Sequence, residues 1–262
     1  MNTELAQRLS QITNDFYRRF YQSFSESRQA AWPGWQQSLQ ILTEQSLPVS
    51  GSLAVLDLAC GNLRWLRFLS EQLPEAAIAY YGLDNCPALV VEAASGSEQP
   101  RLHADWHFQE VDILSELFAG GDLSTFSPGT PPDLAVCFGF MHHLPLPEQR
   151  QTVLNWLVQQ VGAGGWLVLT FWRFLNDAKL AARVRQLQST AYQELGLPEL
   201  PENDYLLGWQ NLPGVWRYCH NFPDAEIDSL VAGLGCAASE IARFQADGRG
   251  GNLNTYLILR AG

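Results

Sequence analysis

Apolar residues change their spacing along this chain in a repeating way. Residues 54–58 form a short aliphatic run broken only by Asp57, the pattern of a strand buried on both faces. The chain then passes Ala59-Cys60-Gly61-Asn62 and continues over 63–73 with apolar residues at helical spacing. Apolar runs return at 77–84, 133–140 and 166–172, and an alternating one at 105–111. Helical patterns at 87–94 and 148–161 stand between them. Strands alternating with helices predict a parallel, doubly wound sheet. Upstream, residues 3–46 read as helix, broken by Ser, Pro and Gly within 25–34. Phe16, Tyr17, Phe20, Tyr21 and Phe24 share one helical face, which suits a lid packed on the core. Downstream, 173–195 reads as an inserted helix carrying Arg173, Lys179, Arg183 and Arg185, and 197–201 as a linker. Runs at 237–244 and 253–260 read as a closing β-hairpin, whereas 118–132 offers only turn chemistry.

Composition narrows the class. The chain has 262 residues, enough for one domain with an insertion, and 47% hydrophobic content supports a full core. Its net charge of −11 argues against a nucleic-acid partner when taken whole. Most of the acid excess lies in 54–172, however, while the flanks are near neutral and hold most of the arginine. Five cysteines, odd in number and without a Cys-x-x-Cys pair, read as buried thiols of a cytoplasmic protein. No apolar run reaches membrane length, and the first residues lack a signal peptide's basic and apolar regions.

The chemistry begins at the 57–62 turn. A strand, a small-residue turn and a helix bring backbone N–H groups up to a ligand, and Gly61 can take positive φ there. Asp57 disfavours phosphate and suits a ligand with ammonium or hydroxyl groups. A phosphate loop would need Gly-Lys-Ser/Thr, which is absent. Asp84 closes strand two, where a doubly wound fold can bond ribose hydroxyls, and Asn85 lies on the same rim. Asp112 stands at the end of strand three. Met141-His142-His143 follows strand four; adjacent histidines cannot share a helical face as a zinc pair would, so no metal site is expected. Trp32 and Trp35 beside Arg28 read either as a stacking and anion-binding surface or as a hydrophobic plug.

Together these segments resemble the class I S-adenosylmethionine (SAM) methyltransferases. Their Asp-x-Gly-x-Gly-x-Gly motif is matched by Asp57-Leu58-Ala59-Cys60-Gly61-Asn62-Leu63. The resemblance implies a Rossmann-like α/β fold: a doubly wound, seven-stranded sheet with the last strand antiparallel, an N-terminal helical lid and an inserted helical segment after strand five. The implied division is a lid at 1–50, a SAM-binding core at 51–172, an insertion at 173–213, and a C-terminal helix and hairpin at 214–262. It also implies cofactor contacts from Asp57, Ala59, Gly61, Asn62, Asp84, Asn85 and Phe138, with Asp112 and Ile113 beside the adenine.

Outside the generic core, Arg217-Tyr218-Cys219-His220-Asn221-Phe222 forms an Arg-Tyr-x-His-x-Phe block. That block, the Trp209 segment before it, residues 25–33 and residues 252–257 look like the tRNA methyltransferases that esterify carboxymethyl groups on wobble uridines. The resemblance implies tRNA as a partner, Trp32, His142, His143, Trp172 and Trp209 near the substrate, and for some members a small activator subunit. A carboxylate nucleophile is ionised near neutral pH and needs no general base. It needs orienting donors, and Arg217, His220 and Arg28 are expected to supply them catalytically, unless Arg217 and His220 instead brace the lid against strand five. A small-molecule O- or N-methyltransferase is the alternative the acidic charge favours, and a non-catalytic SAM-binding domain the remaining one.

Overall fold

The computed structural model describes residues 1–95 and 104–262. Strands β1 (Gly51–Leu58), β2 (Ala76–Asp84), β3 (Ala104–Glu110), β4 (Leu134–Cys137), β5 (Trp166–Trp172), β8 (Ala238–Ala246) and β9 (Asn254–Ala261) form one sheet in the order β3-β2-β1-β4-β5-β9-β8. The first five are parallel, and β9 runs antiparallel to both β5 and β8. Helices α3 (Arg64–Gln72), α4 (Pro87–Ser95), α5 (Ile113–Ala119) and α6 (Pro147–Gln160) provide the crossovers.

Strand periodicity explains why both faces are buried. On β1, Leu53 and Val55 join one core cluster while Leu56 and Leu58 join another. β4 repeats this, with Leu134 and Val136 on the first side and Ala135 and Cys137 on the second. Asp57 therefore shares the face of Val55, where the Tyr80 hydroxyl donates to its carboxylate. Strand order reverses between β1 and β4, so ligands are expected outside the carboxyl ends of those two strands.

The lid is α1 (Thr3–Glu26) and α2 (Pro33–Glu44), separated at the expected Ser/Pro/Gly break. Phe16 is buried with Trp209 and Val215, and Tyr17, Phe20 and Phe24 pack against them, whereas Tyr21 lies outside that cluster. After β5 the chain forms α7 (Ala178–Leu195) and then a second, two-stranded sheet of β6 (Asp204–Gly208) and β7 (Trp216–His220). The segment expected as helical thus ends in a strand, and this hairpin spans the expected boundary at 213. Helix α8 (Asp224–Ala232) follows and leads back to the main sheet. Leu206, Trp216 and Tyr218 pack with Leu9 of α1 and Ala191 of α7, so lid and insertion share a core.

Candidate active site

A cavity of about 350 Å³ opens at the reversal point, between the carboxyl ends of β1 and β4, the lid and β7. Its first wall is the turn after β1. Ala59, Gly61 and Leu63 all have left-handed φ, at 62°, 53° and 55°. Only Gly61 takes this freely; for Ala59 and Leu63 it is a strained conformation of the kind that accumulates at ligand sites. Leu63 keeps the left-handed helix start where the resembling motif has its last glycine, and its side chain is fully packed in the core. The amides of Ala59 and Cys60 both donate to the Leu83 carbonyl, at 2.7 and 3.1 Å, which pins the turn to β2.

Two acids sit under this turn. Asp84 accepts from the Gly61 amide and the Cys86 amide, both at 2.8 Å, so its carboxylate is fixed in orientation with lone pairs left for a ligand. Burial pushes it up to about 6, against the pull of those amides. Burial pushes the Asp57 carboxyl further, to about 8; the Tyr80 hydroxyl lowers it and the nearby Asp84 charge raises it. Asp57, Ala59, Gly61, Asn62, Asp84, Asn85 and Phe138, the residues expected to contact a cofactor, all line the cavity.

The expected adenine pair is placed differently. Asp112 caps α5 through the Ser115 amide at 3.1 Å and accepts from Asn14 Nδ2 at 2.7 Å. Neither Asp112 nor Ile113 lines the cavity; Leu114 does. Asn14 also accepts from Asn85 Nδ2 at 2.8 Å, so the lid residue Asn14 occupies the acid that sequence reasoning had offered to the ligand.

The opposite wall is electropositive. Arg217 lies beside Arg28, His142, His143 and Trp172 in the lining. It is 6% exposed, and its guanidinium packs over the rings of Phe16, Trp172 and Trp209, 5.0–5.8 Å from their centroids. Among the described residues, its Nε and Nη1 have no hydrogen-bond partner and no carboxylate faces it. Arg28 stacks on Phe24 at 3.9 Å; burial and the neighbouring Arg217 lower its pKa to about 10, so it stays cationic. Two guanidiniums thus repel each other in a half-dry wall, an arrangement that an anion would relieve. Asn62 ties the Arg28 segment to the cofactor turn, donating from Nδ2 to Ser25 Oγ at 3.2 Å and to the Arg28 carbonyl at 3.1 Å.

His220 does not join Arg217. Residues alternate along β7: Arg217 lines the cavity and Cys219, on the same face, approaches His142 and His143, while Tyr218 packs with Leu9 and Ala191 on the other face, which His220 shares. His220 meets Asp204 Oδ1 and Glu226 Oε2, each at 2.7 Å, inside a buried network centred on Arg150. That network joins His220 of β7 to Arg150 of α6 and Glu226 of α8, outside the cavity lining. Trp209 likewise is outside the cavity lining, packed against Phe16 and Phe24 and donating from Nε1 to Ser23 Oγ at 3.1 Å. Trp32 and Trp35 both line the cavity, and Trp35 is also buried in the core against Trp65.

The histidine pair comes with a partner the sequence did not suggest. His142, His143 and Cys219 bring ligand atoms within 4.8 Å of one another. His143 is already committed, though: Nδ1 bonds the Tyr218 carbonyl at 2.8 Å and Nε2 the Tyr17 hydroxyl at 2.9 Å. A cation there would have to displace Tyr17 beside two guanidiniums. His142 Nδ1 is buried without a partner. Burial drives His142 well below 6.5, and burial with the Arg217 charge brings His143 down to about 3, so both are neutral. Tyr17 and Asn14 were missed as site residues because their neighbours on α1 made them look like packing.

Solved structures share this fold. The chain aligns with a SAM-dependent methyltransferase from Methanosarcina mazei at 15% identity and a TM-score of 0.56, covering 84% of this chain and 96% of that one. It aligns with magnesium protoporphyrin IX methyltransferase from Synechocystis PCC 6803, solved with bound SAH, at 16% identity and 0.55, covering 87% and 82%. The fold is that of the class I methyltransferases. A SAM-bound amino pentose methyltransferase from Micromonospora echinaspora aligns at 14% identity and 0.53, covering 92% and 96%. No protein-family model and no curated protein matches the chain.

Proposed function

We propose that this chain is a SAM-dependent methyltransferase that esterifies a carboxylate. The observation that carries this is Arg217, a buried guanidinium with two unpartnered nitrogens on a residue that lines the same cavity as the acidic turn of β1. One end of the cavity suits a ligand with hydroxyl and cationic groups, and the other suits an anion. Asp84 fits a ribose, its carboxylate being oriented by two backbone amides, and Asp57 with the 59–62 turn fits an amino-acid end. SAM, when bound, supplies a methyl group on a sulfonium. Arg217 and Arg28 orient the acceptor carboxylate without a base, since an ionised carboxylate is already nucleophilic. Trp172 and Phe138 exclude water between the two ends.

The carrier of that carboxylate is a wobble-uridine carboxymethyl group of tRNA, the reading supported by the Arg217–Phe222 block and residues 25–33. A small organic acid is the second reading, favoured by the net charge of −11. The five cysteines are free and four of them buried, which suits a cytoplasmic setting. No helix among the described residues is long and apolar enough to cross a membrane.

Calorimetry of SAM binding tests both ends of this account. A cation brought to Asp57, whose pKa is about 8, favours its ionised form and expels its proton. Titrations near pH 7 in buffers of different ionisation enthalpy are expected to show up to about one proton released, vanishing above about pH 9. Total tRNA is expected to tighten SAM binding by reciprocal coupling. Binding with no proton release would remove Asp57 from the cofactor site, and binding indifferent to tRNA would move the acceptor to a small acid.

A further inference from the structure

The chain Tyr218 carbonyl–His143–Tyr17 has only one consistent hydrogen pattern. A carbonyl can only accept, so His143 donates its Nδ1–H to the Tyr218 oxygen at 2.8 Å. A neutral imidazole then has a bare Nε2, and the Tyr17 hydroxyl donates to it at 2.9 Å. The reverse pattern would set the Nδ1 lone pair against the carbonyl lone pair. Tyr17 has thereby spent its one proton on the wall. Its oxygen can offer the cavity only lone pairs.

Tyr17 lines the same cavity as Arg28 and Arg217. Everything else on this wall is a donor or neutral: two guanidiniums, and histidines kept uncharged by burial and by those guanidiniums. Tyr17 is therefore an acceptor placed within a donor-rich wall. It also stays protonated, since burial raises its pKa to about 12 against the pull of Arg217 and Arg28.

We infer that Tyr17 is a specificity residue: the hydrogen-bond chain through His143 turns its lone pairs to the ligand, and the site selects carboxylates that carry an N–H or O–H donor beside the anion. This rests on the proposal that Arg217 receives the acceptor's carboxylate. His143 acts as the positioning residue that fixes the direction of the phenol. A carboxylate without such a donor still meets the guanidiniums but leaves the Tyr17 oxygen unpaired, a loss that corresponds to roughly tenfold in affinity.

The test uses the full chain with the cofactor product SAH present and two probes, 1-methyluracil-5-acetate and its 1,3-dimethyl form. Both carry the carboxylate, and only the first retains the ring N–H donor. The expected result is that 1-methyluracil-5-acetate binds about tenfold more tightly, that Tyr17→Phe abolishes the difference, and that long-range proton–nitrogen NMR of His143 finds the proton on Nδ1. Equal binding of the probes in the wild type, with both weakened by Arg217→Ala, overturns the inference and leaves the carboxylate site standing. Failure of both probes to bind, or binding that Arg217→Ala does not weaken, overturns the carboxylate site and the inference with it. A proton on Nε2 of His143, or a probe preference that survives Tyr17→Phe, overturns the inference by itself.

Discussion

Arg217→Ala is expected to lower turnover by about two to three orders of magnitude while leaving SAM affinity unchanged. The effect is large because the guanidinium is buried and its partner in the reaction is a charge. Removing it leaves the acceptor carboxylate to be oriented by Arg28 alone, which is half-buried and stacked on Phe24. In a site where positioning supplies most of the acceleration, a loosely held nucleophile loses both orientation and the cost of its own desolvation. SAM affinity is spared because the acids that fit the cofactor lie on β1 and β2, across the cavity. Arg217→Lys is expected to recover only part of the activity, since a point charge cannot form the planar fork and does not stack between three aromatic rings in the same way. Steady-state kinetics alongside cofactor titration checks this. A parallel loss of SAM binding would show that Arg217 holds the fold or the cofactor, and the carboxylate role would fall.

The second large effect concerns stability. Arg150 is a buried cation whose donors are all engaged: Nε to the Leu144 carbonyl at 2.9 Å, Nη2 to the Tyr218 hydroxyl at 3.2 Å, and Nη1 to Glu226. Its Nη2 also lies 3.7 Å from Asp204, which bonds both Tyr218 and His220. Cutting it to alanine removes the guanidinium that faces two carboxylates, buried Asp204 and half-buried Glu226. Breaking a buried pair from one side costs roughly 3–5 kcal/mol. At this chain length that corresponds to a fall in melting temperature of roughly 10 °C. The destabilised unit is the insertion with its β6/β7 hairpin, because the network joins β7 to the starts of α6 and α8. The network is also pH-sensitive. Its bonds from His220 and Arg150 hold Glu226 below its ordinary value in spite of burial. A carboxylate depressed on folding contributes stability that is present above its unfolded pKa of about 4.3 and is lost as pH falls through the folded value. Thermal melts of wild type and Arg150→Ala should therefore differ most near neutral pH and converge in acid. An unchanged melt at pH 7 would mean that the network is dispensable.

How much of this was legible in the chain depends on the kind of interaction. β1, β4 and β5 were legible because each is buried on both faces and reads as an apolar run bounded by turns, whereas β3 was legible from its alternation. The acids at 57 and 84 were legible because an acid closing such a run has few structural excuses. β6 was not, since five residues flanked by Pro201 and Trp209 carry too short a pattern to separate strand from irregular chain. Arg217 and His220 looked like one functional block because they are three apart in sequence. In a strand that spacing puts side chains on opposite faces, and the secondary structure decided the matter. Asp112 failed for a different reason: an acid after a strand also makes a good helix cap, and Asn14, 98 residues away, completes that role. Tyr17 could not have been found from periodicity. Its importance lies in the direction of one hydrogen bond, which depends on a histidine tautomer fixed by a carbonyl on β7.

The central claim is that the transferred methyl becomes an ester. The most direct measurement is to supply tritiated SAM with total tRNA, or with a pool of small organic acids, and then to treat the labelled product with mild alkali. A methyl ester hydrolyses, and the account predicts that the label leaves as volatile methanol, with Arg217→Ala incorporating at least about a hundredfold less. Label that stays on the product after alkali would place the methyl on nitrogen, carbon or an ether oxygen, and would contradict the carboxylate as the acceptor.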